Sequence, residues 1–297
     1  MKKRVLGNCM LFLAAMIWGA AFVAQTVGMD YVEPFTFQAS RSLLGSLILL
    51  PVIAVLDKRG NDKKPVTKAD KDYLLLSGLV CGLFLFTACS LQQLGLQYTT
   101  AGKSGFLTSL YIILVPLLGL FLKKKVRPWI WISVVLAACG LYLLCGGGAF
   151  SLGKGELLTL GCAAAFSFHI LAIDHVSAKV DGVRLSSIQF FVCAVLSAVV
   201  MCMTESPSWE AVKQCWLPIA YAGVLSSGVG YTFQIIGQAH TEPTVASLLM
   251  SLESVFSVVF GWLLLHQALS APELLGCALV FGGVVLAQLP GNKVSVQ

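Results

Sequence analysis

Charge is what this chain has least of. Its 297 residues include 20 lysines and arginines and 14 aspartates and glutamates, 11% in all, where soluble domains carry roughly 25%. Long polar stretches are missing as well. The longest, DKRGNDKKPVTKADKD at 57–72, is too short to bury a core of its own, which excludes a soluble catalytic domain within this chain. CxxC, HExxH and GxSxG do not occur. The ten cysteines lie in or at the edges of apolar runs, where a thiol serves as a small packing residue, so neither a metal nor a required disulfide is expected. Among the four histidines, His169 and His175 are six apart, roughly 240° around a helix, which makes no shared ligand face. GAFSLGK at 148–154 fits the GxxxxGK of a phosphate-binding loop, yet Gly155 follows where Ser or Thr is needed and no strand precedes it. No cofactor is expected, and those glycines read as a hinge.

What is abundant is apolar surface: 57% of residues are hydrophobic and the mean hydropathy is +0.85. Ten apolar runs follow one another, at 5–27, 35–56, 73–96, 100–122, 127–146, 154–174, 184–203, 216–238, 242–265 and 270–289. Each approaches the ~20 residues that a helix needs to cross a ~30 Å hydrocarbon core, and none alternates as a barrel strand does. The fold class is an all-α integral membrane protein with about ten transmembrane helices. The first run ends at VAQTVGMDY, with no small-residue cleavage site, and reads as a retained span.

Sixteen basic residues fall at the termini and in alternate loops, from Lys2, Lys3 and Arg4 to Lys293; two, Lys154 and Lys213, fall on the opposite side. This asymmetry places both termini in the cytoplasm of a multi-pass protein of the cell membrane. Topology thus accounts for the net charge of +6, and nucleic acid is not an expected partner.

The chain also repeats itself. Aligning 95–140 with 237–282 without gaps pairs Gly95 with Gly237, Thr99 with Thr241, Leu107 with Leu249, Ser109 with Ser251, Gly119 with Gly261 and Gly140 with Gly282. The start of each half agrees at a slightly different offset, GNCMLFLAAMIWGAAF from Gly7 against GELLTLGCAAAFSFHI from Gly155. The expected organisation is a first repeat at 1–147, a second at 153–290 and a short cytoplasmic tail at 291–297. With five spans each, the second copy enters the membrane from the opposite face, an inverted repeat suited to alternating access.

Four stretches carry a family resemblance: GLQYTTAGKSGFLTSLYIILVPLLGLFLKKKVRPWIWISVVLAACGLYLL at 95–144, its echo TEPTVASLLMSLESVFSVVFGWLLLHQALSAPELLGCALVFGGVVL at 241–286, LAAMIWGAAFVAQ at 13–25 and FQASRSLLGSLILL at 37–50. They resemble EamA-type transporters of the drug/metabolite transporter superfamily over nearly the whole chain. The resemblance implies a secondary transporter, not an enzyme, that moves an amino acid or similar polar or amphipathic solute, or a drug-like compound. The family often has glutamate after the fourth and ninth spans, where this chain has Lys125 and Gln267, and proline where it has Ser254. A channel or assembly subunit, and a membrane-embedded enzyme, are the alternative readings.

Ionisable groups inside spans are costly and mark pathways. Arg41, Lys103 and Glu253 are the candidates, with Glu253 nearest the midplane. Ser104, Thr108 and Tyr111 share one helical face, and Ser247, Ser251 and Ser254 repeat that spacing beside Glu253. Positions where the halves differ are those that a common scaffold does not dictate: Lys103 against Val245, Tyr111 against Glu253, Arg41 against Gln189, and Ala21 against His169. Trp18 and Gln25 share a face of the first span, and of the adjacent Gln92 and Gln93 only one can face a cavity. The expected substrate-binding set is Lys103, Tyr111, Glu253, Arg41, Trp18, Gln25, Thr108, His169 and Ser251. Lys103 and Arg41 should make the outer half of the cavity electropositive and favour anionic or zwitterionic solutes. Expected partners are a small-molecule substrate, the lipid bilayer and protons as a coupling ion.

Overall fold

The computed structural model describes residues 2–59, 67–99, 101–124, 126–144, 153–265 and 270–289. Among these residues there is helix and no strand. In chain order the helices are α1 (Lys2–Gly28), α2 (Pro34–Arg59), α3 (Lys68–Leu96), α4 (Ala101–Ser109), α5 (Tyr111–Phe121), α6 (Pro128–Leu144), α7 (Lys154–Val176) and α8 (Gly182–Thr204). Then come α9 (Trp209–Gln214), α10 (Trp216–Ala220), a π-helical stretch (Tyr221–Gly230), α11 (Tyr231–Gln238), α12 (Pro243–Met250), α13 (Leu252–Leu265) and α14 (Ala271–Gln288). Among the described residues nine segments are long and apolar enough to cross a membrane. The remaining expected span, α6, has 17 residues, at the short end of the spanning range.

Helix starts follow local chemistry. Thr67 accepts from the Asp70 N–H while the Asp70 carboxylate accepts from the Thr67 N–H, and Ser270 and Glu273 form the same reciprocal cap on α14. Asp181 caps α8 through the Arg184 N–H.

Three spans depart from the continuous helices that the sequence suggests. The fourth breaks between α4 and α5, where the Leu110 N–H reaches Leu107 O and the Ile113 N–H reaches Leu110 O, both three residues back. Pro116 lies within α5, where its ring and missing N–H loosen the preceding turn. The ninth breaks between α12 and α13 at Ser251, whose hydroxyl donates to Leu248 O, while Ser247 and Ser257 donate back to Thr244 O and Ser254 O. Such back-bonding serines bend helices. The eighth widens into the π-helical stretch, rich in Gly and Ser, against which α2 packs closely: a Cβ on Gly45 would meet the Ser227 Cβ at 2.5 Å.

The principal helix partnerships are α6 with α14, α2 with α8, α3 with both α7 and α8, and α1 with α13. Each joins one helix from before the 147–153 junction to one from after it, so the two halves of the sequence interleave around one large apolar core. Glycines set the closest approaches. A Cβ on Gly7 would meet Gly237 O at 2.9 Å and one on Gly155 would meet Gly95 O at 3.0 Å. These two contacts exchange under the sequence alignment, because Gly7 pairs with Gly155 and Gly95 with Gly237.

Candidate functional site

The helix breaks and the π-helical stretch meet at a small internal cavity of about 40 Å³. α1 supplies Trp18, Ala21, Phe22 and Gln25; α2 supplies Arg41; α3 supplies Gln92; α5 supplies Tyr111 as its first residue. From the second half come Phe166 and Ile170 of α7, Ser226 of the π-helical stretch, Tyr231 and Gln234 of α11, Met250 at the end of α12, and Glu253 in the first turn of α13.

Two charged side chains line it, Arg41 at 4% and Glu253 at 6% exposure. The Tyr111 hydroxyl donates to Glu253 Oε1 at 2.9 Å. Arg41 stands over the Phe37 ring at 5.9 Å, and its Nε has no hydrogen-bond partner among the described residues. Gln25 Oε1 and Gln234 Oε1 are likewise buried without a donor. Arg41, Gln25, Gln234 and Glu253 thus line the same space, and three of their polar atoms have no hydrogen-bond partner among the described residues. Around it, Tyr231 packs against Trp18 (4.7 Å between centroids), Phe190 (5.0 Å) and His169 (6.1 Å).

The lining follows the repeat. Tyr111 and Glu253 are 142 positions apart, as are Cys89 and Tyr231, whose Sγ and hydroxyl lie 3.9 Å apart. Gln92 and Gln234 carry the same separation, and the first-span alignment pairs Trp18 with Phe166 and Phe22 with Ile170; all six line the cavity.

The structure brings together Trp18, Gln25, Arg41, Tyr111 and Glu253 from the sequence-derived set, and of the two adjacent glutamines it turns Gln92 inward. Lys103, Thr108, His169 and Ser251 are not in the lining. Lys103 is half-buried and lies near Glu156, which is distant in sequence. Thr108 accepts from Gln92 Nε2 at 3.2 Å and so stands behind the wall. Ser251 spends its hydroxyl on Leu248 O. His169 bonds Gln189 at 3.0 Å. That last pair breaks the symmetry: Ala21 and Arg41 open onto the cavity, whereas their counterparts His169 and Gln189 hold each other.

Sequence reasoning missed Tyr231 and Gln234. Extending the ungapped alignment a few residues toward the N-terminus would have flagged Tyr231 against Cys89 as a difference and Gln234 against Gln92 as an identity. Phe22, Phe166, Ile170 and Met250 carry no signal that separates cavity wall from core.

A model of the EamA-like transporter family matches residues 5–146 and again 153–289. An uncharacterized transporter of Archaeoglobus fulgidus is 30% identical over 97% of this chain and 87% of its own length. The uncharacterized transporter YoaV of Bacillus subtilis is 25% identical over 96% of this chain and 97% of its own. A crystal structure 22% identical in sequence shares the fold, with a TM-score of 0.77 over 95% of this chain and 96% of that one. Apolar helices of spanning length, a polar cavity between them and these likenesses lead to one statement: the chain is a multi-pass membrane protein that belongs to the EamA-like transporter family, a family of transporters and not of enzymes.

Proposed function

We propose that this protein is a secondary transporter that carries a small zwitterionic or amphipathic solute, of amino-acid size, by alternating access between two inverted five-span repeats, with both termini in the cytoplasm of the cell membrane. The observation that carries this reading is the Tyr111 to Glu253 hydrogen bond. Two residues paired by the repeat can touch each other only near the axis that relates the halves, and both line the cavity. A site on that axis is reached equally by either half's rearrangement. The double family match and the exchanged glycine contacts support the same organisation.

Arg41 and Glu253 give the cavity one charge of each sign, matched to a carboxylate and an ammonium on one small molecule. Glu253 has a second use. A carboxyl at this depth is costly to keep ionised and marks a proton path in membrane carriers, so proton and substrate ammonium compete for it and their fluxes are coupled.

The test is Glu253→Gln in proteoliposomes, which keeps the shape and removes ionisation. Counterflow of a labelled neutral amino acid is expected to fall by at least about tenfold, with the pH dependence of net transport abolished. A stably folded variant that transports at the wild-type rate with the wild-type pH profile overturns the coupling role. Ohmic current in place of counterflow overturns the carrier reading.

A further inference from the structure

A second concavity lies on the outer surface. It is a groove of about 740 Å³ between the start of α1, the end of α12 and the end of α14. Its composition changes along its length. At one end stands Arg4, exposed and with no carboxylate partner among the described residues. Next comes an amide pair, with Asn8 Nδ2 donating to Gln288 Oε1 at 2.6 Å, and this bond leaves Gln288 Nε2 buried without an acceptor. Beyond them the walls are Phe12, Leu13 and Leu249. From Arg4 to Leu13 the helix rises about 14 Å, close to the ~15 Å of hydrocarbon in one leaflet.

We infer that this groove is a binding site for one anionic phospholipid of the leaflet at the basic end of the protein. A guanidinium takes a phosphate by two parallel hydrogen bonds. The apolar walls take an acyl chain over the depth of the leaflet. Lys2 and Lys3, both exposed beside Arg4, add to the attraction for an anionic headgroup, and basic clefts between helices at this height suit such lipids. A soluble phosphate ester lacks the chain that the walls call for, and a neutral lipid lacks the net charge. The site matters to the protein because Leu249 immediately precedes Met250 of the cavity wall and the α12 break. A lipid lodged there braces α1 against the half-helix that leads to Glu253.

The experiment uses the intact protein in nanodiscs of phosphatidylcholine with and without phosphatidylglycerol. After extraction, native mass spectrometry is expected to show one phosphatidylglycerol retained per chain, held about tenfold more tightly than phosphatidylcholine. Arg4→Gln should bring the two lipids to parity, and Cys9→Trp, which fills the groove, should abolish retention of both. In case the plugged variant does not fold, the wild type supplies its own readout: Cys9 is an exposed thiol in the groove and Cys202 an exposed thiol elsewhere. Phosphatidylglycerol should slow alkylation of Cys9 by a membrane-permeant maleimide and leave Cys202 unaffected, while glycerol 3-phosphate should do neither. Equal retention of the two lipids, a preference that survives Arg4→Gln, or Cys9 alkylation indifferent to the lipid overturns the assignment.

Discussion

Tyr111 and Arg41 do different work in the cavity, and substitutions separate them. The Tyr111 hydroxyl donates to Glu253 Oε1, and a hydrogen bond to a charged group contributes about 1.5 to 3 kcal/mol. Tyr111→Phe keeps the ring and removes the donor. We expect a folded protein with a lower melting temperature, and counterflow slowed but still dependent on pH, because the titrating group is intact. Liposome assays across a range of pH check this; a flat profile would move the proton site to the tyrosine. Arg41 acts through its fork. Arg41→Lys keeps the charge and loses the bidentate geometry, so affinity for a solute with a carboxylate should fall by about tenfold, while its descarboxy amine analogue should be unaffected. Competition of both solutes against one labelled substrate measures the difference, and equal losses for the two would mean that Arg41 packs helices and does not bind substrate.

At the scale of helices, α6 and α14 show how little tolerance the packing leaves. A Cβ on Gly140 would lie 2.6 Å from Gly276 O and 2.7 Å from Val280 N, both backbone atoms that cannot step aside. Gly282, its partner in the repeat alignment, has only a leucine methyl at 3.7 Å. Gly140→Leu should leave no monodisperse protein on size-exclusion chromatography, and Gly282→Ala should be indistinguishable from wild type. Sequence alone could not separate these two glycines, because the contact that distinguishes them lies on another helix. The same limit runs through the rest. The apolar helices and the all-helical class were legible because hydrocarbon imposes length and periodicity, and the cost of charge singled out Glu253, which lines the cavity. The breaks at Leu110 and Ser251 were not, since serine back-bonding is optional and depends on neighbours. Thr108 and Ser251 sit on the right face but spend their hydroxyls within the wall, and helical phase cannot reveal a partner. For a related reason the neighbour of Lys103 was not legible: Glu156, far away in sequence, comes to it only through folding.

At the scale of the whole molecule, contacts tie the two halves of the sequence together at both ends. At the end where the sequence puts the basic loops, Lys124 and Arg127, from the connection between α5 and α6, pair with Asp174 at the end of α7 and with Glu242 just before α12. Asp57 of α2 and Arg184 of α8 add a third pair there. At the opposite end Glu205, after α8, accepts from the Phe35 and Thr36 N–H groups at 2.7 Å and so caps α2 from across the bundle. The Lys124 and Asp174 pair is half-buried. Under the proposed alternating access this end opens once per turnover and the pair is expected to separate, whereas a pore open from both sides would not need it to. With the exposed Cys9, Cys139 and Cys202 replaced by serine, Lys124→Cys together with Asp174→Cys places two thiols where the ion pair stood. Oxidation should stop counterflow while leaving ligand binding, read as a thermal shift, in place, and reduction should restore transport. Undiminished counterflow in the fully cross-linked protein would show that this end never opens and that the solute leaves by another route.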